Sequence, residues 1–364
     1  MNIAIDVSPL KSGHFLQHRV RGTGFYLENL RSSLEKYYPN NEYIYFTRGE
    51  KVSLGVDLVH YPYFEPFFLT LPFNNENKFV VTVHDLTPLV FPNNFPAGLR
   101  GKIKWKIQKA RLRKAKRIIT DSMSSKKDIV KYVGIPEDKV TVVYLAAGEE
   151  FRRLETGNLP AGEAGWKSEI KKRYGLPERF VLYVGDVTWN KNLPSLIRAV
   201  KIAGVPLVMV GKAISQAEFD KTNPWNQDLL KVQELIKDDG DIFVLGFVEQ
   251  GELVALYNMA TVFAMPSLYE GFGLPILEAM GCGCPVVTSK MGSIPEIAGE
   301  AAYYVDAYNI SDIALGLERV FNDAKLQKKL SEKGTAQSKK FSWKKTAEDT
   351  VGVYEEAVLR QGSI

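Results

Sequence analysis

The sequence predicts an α/β fold of two doubly wound, Rossmann-like domains that face each other. Short apolar runs rich in β-forming residues alternate with helical stretches, at the spacing that is typical of parallel sheets. This alternation occurs twice along 364 residues, a length that suggests two domains, and it lapses once in between. Because ligands of such folds bind at the carboxyl ends of the strands, we expect a ligand in the crevice between the domains.

The first alternation predicts a domain that covers residues 1–160. Its strands are expected at residues 2–7, 43–47, 56–60, 79–83, 117–120 and 139–145. Helices are expected at residues 25–38 and 124–133, with a strongly basic helix from residue 99 onward. Glycine, proline and charge without apolar periodicity fill residues 150–175, which predicts the linker there.

The second alternation predicts a domain over residues 161–343. Its strands are expected at residues 180–186, 205–211, 241–248, 261–265, 285–289 and 301–306. Helices are expected at residues 193–202, 227–236, 249–258, 276–280, 313–321 and 324–337. An amphipathic helix over residues 344–364 ends the chain.

Composition indicates an ordinary globular protein, with 45% hydrophobic and 24% charged residues. No run approaches the roughly 20 apolar residues of a membrane span, and the N-terminus reads as a first strand rather than a signal peptide. We therefore expect a cytoplasmic location. Cys282 and Cys284 are the only cysteines. They are too close in sequence for an easy disulfide and too few for a zinc site, so we expect them to be packing residues.

The stretch at residues 265–285 is the most informative about function. An apolar strand ends there, a glycine turn follows, and a helix starts at about Pro275, a residue suited to a first helical position. Gly271 and Gly273 allow the backbone to approach a ligand closely. The amides from Gly271 to Leu274, together with the partial positive charge of the helix N-terminus, suit a phosphate group.

Two carboxylates flank this turn, Glu270 at its mouth and Glu278 on the helix. Neither is suited to a phosphate, so we assign them to hydroxyl groups, which carboxylates accept from readily. A ligand with phosphates between two polyols is a nucleotide sugar. The alternative is a strand-turn-helix corner whose two glutamates are merely solvated.

The segment resembles the E-x7-E signature of glycosyltransferase family 4 (glycosyl transferases group 1), and residues 292–296 resemble the G-G-x-P-E turn of that family, with Ser293 in place of the second glycine. The resemblance implies a GT-B fold, transfer with retention of anomeric configuration, and a final helix that returns to the first domain. It assigns Glu270 to the donor sugar, Glu278 to the ribose, and the diphosphate to Gly271, Phe272, Gly273 and Leu274.

Residues 183–200 resemble the strand-loop-helix motif in which the family holds the diphosphate with a basic pair. Lys191 matches one member of that pair, but Asn190 stands where the family has arginine. Half of the expected positive charge is therefore missing, so another residue compensates or the diphosphate is held more weakly. Lys191 could instead be a plain surface lysine before a helix.

Two motifs of the first domain complete the resemblance. Gly22 and Gly24 lie in a segment similar to the family's N-terminal glycine loop, which implies contact with the donor diphosphate. His84 and Asp85 resemble the H-D element that faces the donor sugar, so His84 would orient the sugar or stabilise positive charge at the reacting centre. Asp85 would hold His84 or contact the acceptor. The alternative for His84 is a purely structural histidine.

The sequence predicts no metal and no cofactor other than the nucleotide-diphosphate sugar as co-substrate. Its one D-x-D string, residues 239–241, reads as a turn that ends a helix. The predicted function is that of a metal-independent retaining hexosyltransferase acting on a glycan or lipid-linked acceptor. GDP-mannose is the preferred donor by resemblance, with glucose, rhamnose and N-acetylglucosamine open. A nucleotide-sugar 2-epimerase and a non-catalytic sugar-nucleotide-binding protein are the alternatives.

The basic helix carries a separate hypothesis. Residues 100–117 hold ten basic and no acidic residues, although the whole chain has a net charge of only +5. We expect Leu99, Ile103 and Ile107 to pack on the sheet, and Trp105 and Leu112 to lie on the opposite face among the cations. Such a face suits an anionic membrane surface, through residues 99–117, and a merely solvated face is the alternative. Nucleic acid is not expected, because no recognition module accompanies the charge.

Overall fold

The structure is a computed structural model that describes residues 1–11, 21–50, 52, 55–73, 77–154, 166–216 and 218–359. It divides into two compact units. One contains Met1–Ala146 and the segment from Phe341 onward, and the other contains Ala147–Lys340. The boundary expected between residues 160 and 161 lies outside the described residues.

The first unit holds a six-stranded parallel sheet in the order β2-β1-β3-β4-β5-β6. Its strands are β1 (Asn2–Asp6), β2 (Glu42–Phe46), β3 (Leu58–Tyr61), β4 (Phe79–Thr82), β5 (Arg117–Thr120) and β6 (Val140–Val142). The helices between them are α1 (Arg21–Tyr37), α2 (Thr87–Val90), α3 (Gly98–Leu112) and α4 (Met123–Val133).

The second unit repeats this architecture, with a parallel sheet in the order β12-β11-β10-β7-β8-β9. Its strands are β7 (Val181–Val184), β8 (Leu207–Val210), β9 (Ile242–Gly246), β10 (Val262–Met265), β11 (Val286–Ser289) and β12 (Tyr303–Val305). Its helices are α5 (Trp166–Tyr174), α6 (Leu193–Ala203), α7 (Gln227–Ile236), α8 (Gln250–Met259), α9 (Leu274–Gly281), α10 (Ile294–Ala298), α11 (Ile310–Asn322) and α12 (Ala324–Ser338).

Every predicted strand is present, and the predicted α/β class with parallel sheets is confirmed in both units. The central strands β3, β5, β8, β10 and β11 are buried at every position, and β4 at all but its first, as expected for sheets covered by helices on both faces. The edge strands β2, β6, β9 and β12 are only partly buried. The hydrophobic pattern therefore determines both where the strands lie and which of them are central.

The last helix, α13 (Trp343–Leu359), packs on the first unit although it follows the second in sequence. Thr346 Oγ1 donates to the Tyr144 carbonyl at 2.7 Å, and Lys78 Nζ donates to the Val358 carbonyl at 2.9 Å. Tyr354 inserts its ring into the core, where it lies edge-on to His60. Side-chain packing and side-chain-to-backbone hydrogen bonds together hold this helix.

His60 lies at the centre of a buried polar network. Its Nδ1 is 2.8 Å from the Tyr354 hydroxyl and its Nε2 is 2.8 Å from Thr82 Oγ1, which in turn lies 3.1 Å from the Tyr26 hydroxyl. Burial lowers the pKa of His60 to about 3, so the ring is neutral at physiological pH and its two nitrogens match one donor and one acceptor. The network fixes α1 and α13 against β3 and β4.

Two expectations about helices were wrong. The linker over residues 150–175 contains α5, whose only fully buried residue is Ile170, so it has too little apolar periodicity to be recognised from sequence. The orientation of α3 is the reverse of the expected one. Leu99 is 77% exposed and Ile103 is 53% exposed, whereas Leu112 is buried and Trp105 packs against the core.

The buried face of α3 is instead the stripe Gly101, Trp105, Gln108 and Leu112, at helical spacing. Gly101 is buried on this face, and a Cβ there would lie 3.6 Å from Phe67 and 3.1 Å from the Ala97 Cβ, so the helix packs closely at this position. The apolar side chains of Leu99 and Ile103 then lie outside, next to the exposed Lys102 and Lys106.

We expect Tyr354→Phe to lower the stability of the protein by about 1–3 kcal/mol, because it leaves a buried ring nitrogen of His60 without its partner. The measurement is the midpoint of thermal unfolding, compared with that of Tyr308→Phe, which removes a hydroxyl from an exposed side chain. Equal midpoints for the two variants would contradict a stabilising role of the network.

Candidate active site

The turn between β10 and α9 has the shape that the sequence predicts. Gly273 caps the helix with a φ of 100°, in the left-handed region that favours glycine, and Pro275 follows in the first turn. The first amides of a helix have no acceptor within the helix, and they carry the positive end of its dipole. The N-terminus of α9, which begins at Leu274, therefore lies after the carboxyl end of β10 with the positive end of its dipole.

Glu270 and Lys191 form an ion pair at this edge. Lys191 Nζ lies 2.9 Å from Oε1 and 2.8 Å from Oε2 of Glu270, whose side chain is only 8% exposed. They meet because β7 and β10 are neighbours in the sheet and both residues follow the carboxyl end of their strand. The residues predicted to bind the sugar and the diphosphate are thus in direct contact.

The hydrogen bonds of Asn190 give a structural reason for its presence where the family has arginine. Its side-chain amide donates to the Tyr269 carbonyl at 3.0 Å, and its backbone carbonyl accepts from the Leu268 amide at 2.7 Å. The side chain is buried and its carbonyl oxygen accepts from Thr188 Oγ1 at 2.8 Å. Asn190 therefore shapes the backbone just before Glu270, a structural role that an arginine could not fill in the same way.

Ser293 holds the same turn from the other side. Its hydroxyl lies 3.0 Å from the Glu270 carbonyl and 2.8 Å from the Phe272 carbonyl, and its amide donates to the Glu270 carbonyl at 3.2 Å. Gly292 has a φ of 59°, and a Cβ on it would lie 2.6 Å from the Glu270 carbonyl oxygen, so no larger residue fits. Ser293, in place of the family's second glycine, therefore adds hydrogen bonds to the loop that presents Glu270.

Glu278 lies on α9 with its carboxylate buried. It accepts a 2.8 Å hydrogen bond from the hydroxyl of Tyr257 on α8. Burial raises the pKa of Glu278 to about 7, and the charge of Glu150 adds to the rise, while the Tyr257 hydrogen bond partly opposes it. Near neutral pH, Glu278 can therefore either accept or donate a hydrogen bond.

In the first unit, His84 follows β4 and carries its own carboxylate partner. Its Nδ1 lies 2.7 Å from Oδ2 of Asp121, which follows the neighbouring strand β5. Asp85 does not hold the ring: it accepts from the Thr87 amide at 2.8 Å and so fixes its own loop. Sequence reasoning missed Asp121, although its position after a strand adjacent to that of His84 was a usable signal.

Gly22 and Gly24 lie inside the first turns of α1, which begins at Arg21, and not before a helix as predicted. The rest of the loop in front of them, residues 12–20, lies outside the described residues. Two other predictions are confirmed. Asp239 and Asp241 form a turn, in which Asp239 accepts from the Asp241 amide and pairs with Lys201. Cys282 and Cys284 are buried free thiols.

Sequence profiles of two domain families match the chain. Glycosyl transferases group 1 matches residues 167–337, and Glycosyltransferase Family 4 matches residues 11–147. The chain belongs to glycosyltransferase family 4. The predicted family is thereby confirmed.

Relatives of this chain include two proteins of Escherichia coli. The O-antigen chain mannosyltransferase B is 30% identical over 82% of this chain and 75% of its own length. The serotype-specific mannosyltransferase WbdA is 29% identical over 78% of this chain, which spans only about a third, 34%, of WbdA.

Among solved structures, HepE from Anabaena in complex with UDP and glucose matches with a TM-score of 0.70 and 17% identity, over 97% of this chain and 98% of that one. This likeness supports the fold. Within the described residues, no helix has the length and apolar character needed to cross a bilayer.

The pKa of Glu278 predicts a pH-dependent stability. Because the folded-state pKa of about 7 lies above the ordinary value of 4.5, folding favours the protonated acid. This contribution is complete below pH 4.5 and is lost as the pH rises through 7. We expect Glu278→Gln to melt higher than the wild type at pH 8, by an amount equivalent to about 3 kcal/mol or less, and to show little advantage at pH 5.

The measurement is the melting temperature of both proteins at the two pH values. Glu300→Gln is the control, because the Glu300 side chain is almost fully exposed. A difference between wild type and Glu278→Gln that does not change with pH would contradict the raised pKa.

Proposed function

We propose that this glycosyltransferase transfers mannose from GDP-mannose to a glycan or lipid-linked acceptor, with retention of anomeric configuration and without a metal ion. The observation that carries the proposal is the pair of Lys191 and Glu270 beside the N-terminus of α9. A cation, a carboxylate and a row of amide donors together fit a sugar diphosphate. The ammonium group of Lys191 has three N–H donors, and two carboxylate oxygens leave one for a phosphate.

The other residues take roles around that pair. Glu270 accepts from hydroxyls of the donor sugar, and Glu278 accepts from the ribose. The turn of Gly271, Phe272, Gly273 and Leu274 at the N-terminus of α9 binds the diphosphate together with Lys191, and the contact of Gly22 and Gly24 with the donor stays a prediction. His84 acts at the reacting centre, where its ring stabilises charge.

The chemistry needs no protein nucleophile. The bond between the anomeric carbon and the diphosphate oxygen breaks, and a bond from the same carbon to an acceptor hydroxyl oxygen forms on the same face of the sugar. The hydroxyl proton passes to the departing diphosphate oxygen. Amides and Lys191 stabilise the negative charge that develops on this oxygen, a task for which pre-arranged donors are effective.

The choice of mannose rests on the two relatives named as mannosyltransferases. UDP-glucose is the competing donor, because HepE is described in complex with UDP and glucose. The need for an acceptor distinguishes glycosyl transfer from the alternative activity of a nucleotide-sugar 2-epimerase. Such an epimerase would release an isomerised sugar nucleotide without any acceptor.

We expect GDP-mannose to raise the melting temperature of the protein more than other nucleotide-diphosphate sugars do, in the presence and absence of EDTA, because a ligand that binds only the folded state stabilises it. Hydrolysis or transfer of the same donor should survive EDTA. Loss of binding on adding EDTA would contradict the metal-independent mechanism, and preference for UDP-glucose would contradict the assignment of mannose.

Lys191 variants sharpen this test. Lys191→Ala leaves Glu270 buried without its partner, so the protein should lose stability and donor binding together. The double variant with Glu270→Gln should recover the stability but not the binding. Lys325→Ala, an exposed lysine on α12, is the control and should keep both.

The exposed face of α3 supports a further part of the proposal, contact with an anionic membrane surface. Leu99 and Ile103 lie outside, beside the exposed side chains of Arg100, Lys102 and Lys106. Apolar side chains ringed by cations bind anionic bilayers through both burial and charge. The face is not the one that the sequence indicated, but its chemistry is the same.

We expect Leu99→Ser with Ile103→Ser, and separately Arg100, Lys102 and Lys106 to glutamine, to weaken co-sedimentation with phosphatidylserine-containing vesicles. Ile202→Ser with Leu315→Ser is the matched control, because it removes two equally exposed apolar side chains from the other unit. Unchanged sedimentation of the α3 variants would favour the alternative of a solvated helix face.

A further inference from the structure

His84 and Asp121 are placed opposite each other by the register of two parallel strands. Thr82 of β4 pairs with Ile119 of β5, so the residues two positions later leave the sheet side by side. His84 Nδ1 then lies 2.7 Å from Asp121 Oδ2. Asp121 is 2% exposed, and within the described residues its other oxygen has no hydrogen-bond partner. A carboxylate so deeply buried is costly to ionise unless a positive group lies beside it.

The imidazole of His84 is fixed from other directions as well. The ring of Tyr26 meets it edge-on, with the ring centroids 4.9 Å apart and the planes at 85°. Tyr26 itself is held by the buried network that begins at its hydroxyl and continues through Thr82 to His60. Ser125 Oγ donates to the backbone carbonyl of His84 at 2.9 Å. The ring therefore has little freedom to turn.

We propose that Asp121 is the positioning residue for His84: its carboxylate accepts a hydrogen bond from Nδ1–H and thereby fixes the tautomer and the orientation of the imidazole. The inference rests on the role of His84 in the proposed function. Asp121 belongs to none of the motifs described in the sequence.

The charged and titratable groups around the ring act on both partners. Burial raises the pKa of Asp121, and the charge and hydrogen bond of His84 oppose that rise. Burial lowers the pKa of His84, but the charge and hydrogen bond of Asp121, the charge of Asp85 and the Pro62 backbone outweigh it, so the pKa is raised above 6.5. Asp85 contributes only through space, since its hydrogen bond goes to Thr87. His60, on β3, is neutral, and Tyr26, on α1, is protonated because its burial raises its pKa.

The test uses the full chain with isotope-labelled histidine, and the chain has only four histidines to resolve. Nitrogen-correlated NMR reports the titration midpoint and the protonated nitrogen of each ring, and His84→Gln identifies the signal of His84. In the wild type we expect a His84 midpoint above the ordinary value, with Nδ1 protonated throughout. A wild-type His84 that titrates below that value, or whose neutral form carries its proton on Nε2, would overturn the proposal without any variant of Asp121.

Asp121→Asn removes the charge and keeps the shape. We expect it to lower the His84 midpoint by about one pH unit or more, as loss of an adjacent opposite charge does. Asp85→Asn is the matched control and should lower it by clearly less, because it removes a nearby charge but no hydrogen bond to the ring. Equal shifts of the His84 midpoint in the two variants would mean that only the electrostatic field of nearby carboxylates acts on the ring, and not the hydrogen bond to Asp121. That result would overturn the proposal.

Kinetics separates positioning from a purely structural role. If charged His84 is the active form, activity falls as the pH rises through its pKa, and in Asp121→Asn this fall should begin at a lower pH. We expect kcat to drop about 10- to 100-fold at pH 8 with the donor KM little changed. An unchanged pH profile would overturn the role of Asp121 in the reaction. Absence of turnover in the wild type with every nucleotide sugar would overturn the proposed function instead, and the NMR titrations would still decide the coupling of Asp121 to His84.

Discussion

Parallel pairing of the strands is the constraint on which the rest of this structure depends. In each sheet, every strand must end at the same edge, and the chain must return through a helix before the next strand begins. Residues that directly follow neighbouring strands are therefore brought together without being near in sequence. Lys191 meets Glu270 in this way in one unit, and His84 meets Asp121 in the other.

The same edge collects polar groups that are expensive to bury, and the protein stabilises each by a different means. Glu270 is paired with the ammonium group of Lys191, and Asp121 is paired with the imidazole of His84. Glu278 has only a tyrosine hydroxyl, so its pKa rises toward neutrality instead. His60, inside the core, loses its proton altogether. Buried carboxylates at the strand ends are more typical of binding sites than of packing, which supports ligand binding at the two edges.

The sequence predicts the strands well, because each depends on a local pattern of apolar residues. It predicts the face of α3 wrongly. Two apolar stripes compete on that helix, and periodicity alone does not show which of them packs against the rest of the unit. Asp121 was missed for a related reason: its importance comes from strand register, which is a property of the pairing and not of either strand by itself.

The two departures from the family pattern, Asn190 and Ser293, have a common physical explanation. Both are neutral residues that hydrogen-bond to backbone carbonyls of the loop around Glu270. They fix the shape of that loop before a ligand arrives, so less conformational entropy is lost on binding. Because Asn190 stands where the family has arginine, Lys191 is the one cation of its motif. Glu270 already offsets part of the charge of Lys191. A diphosphate bound there would consequently depend more on the amides of the α9 N-terminus than in relatives that have a basic pair, and its affinity should be less sensitive to salt.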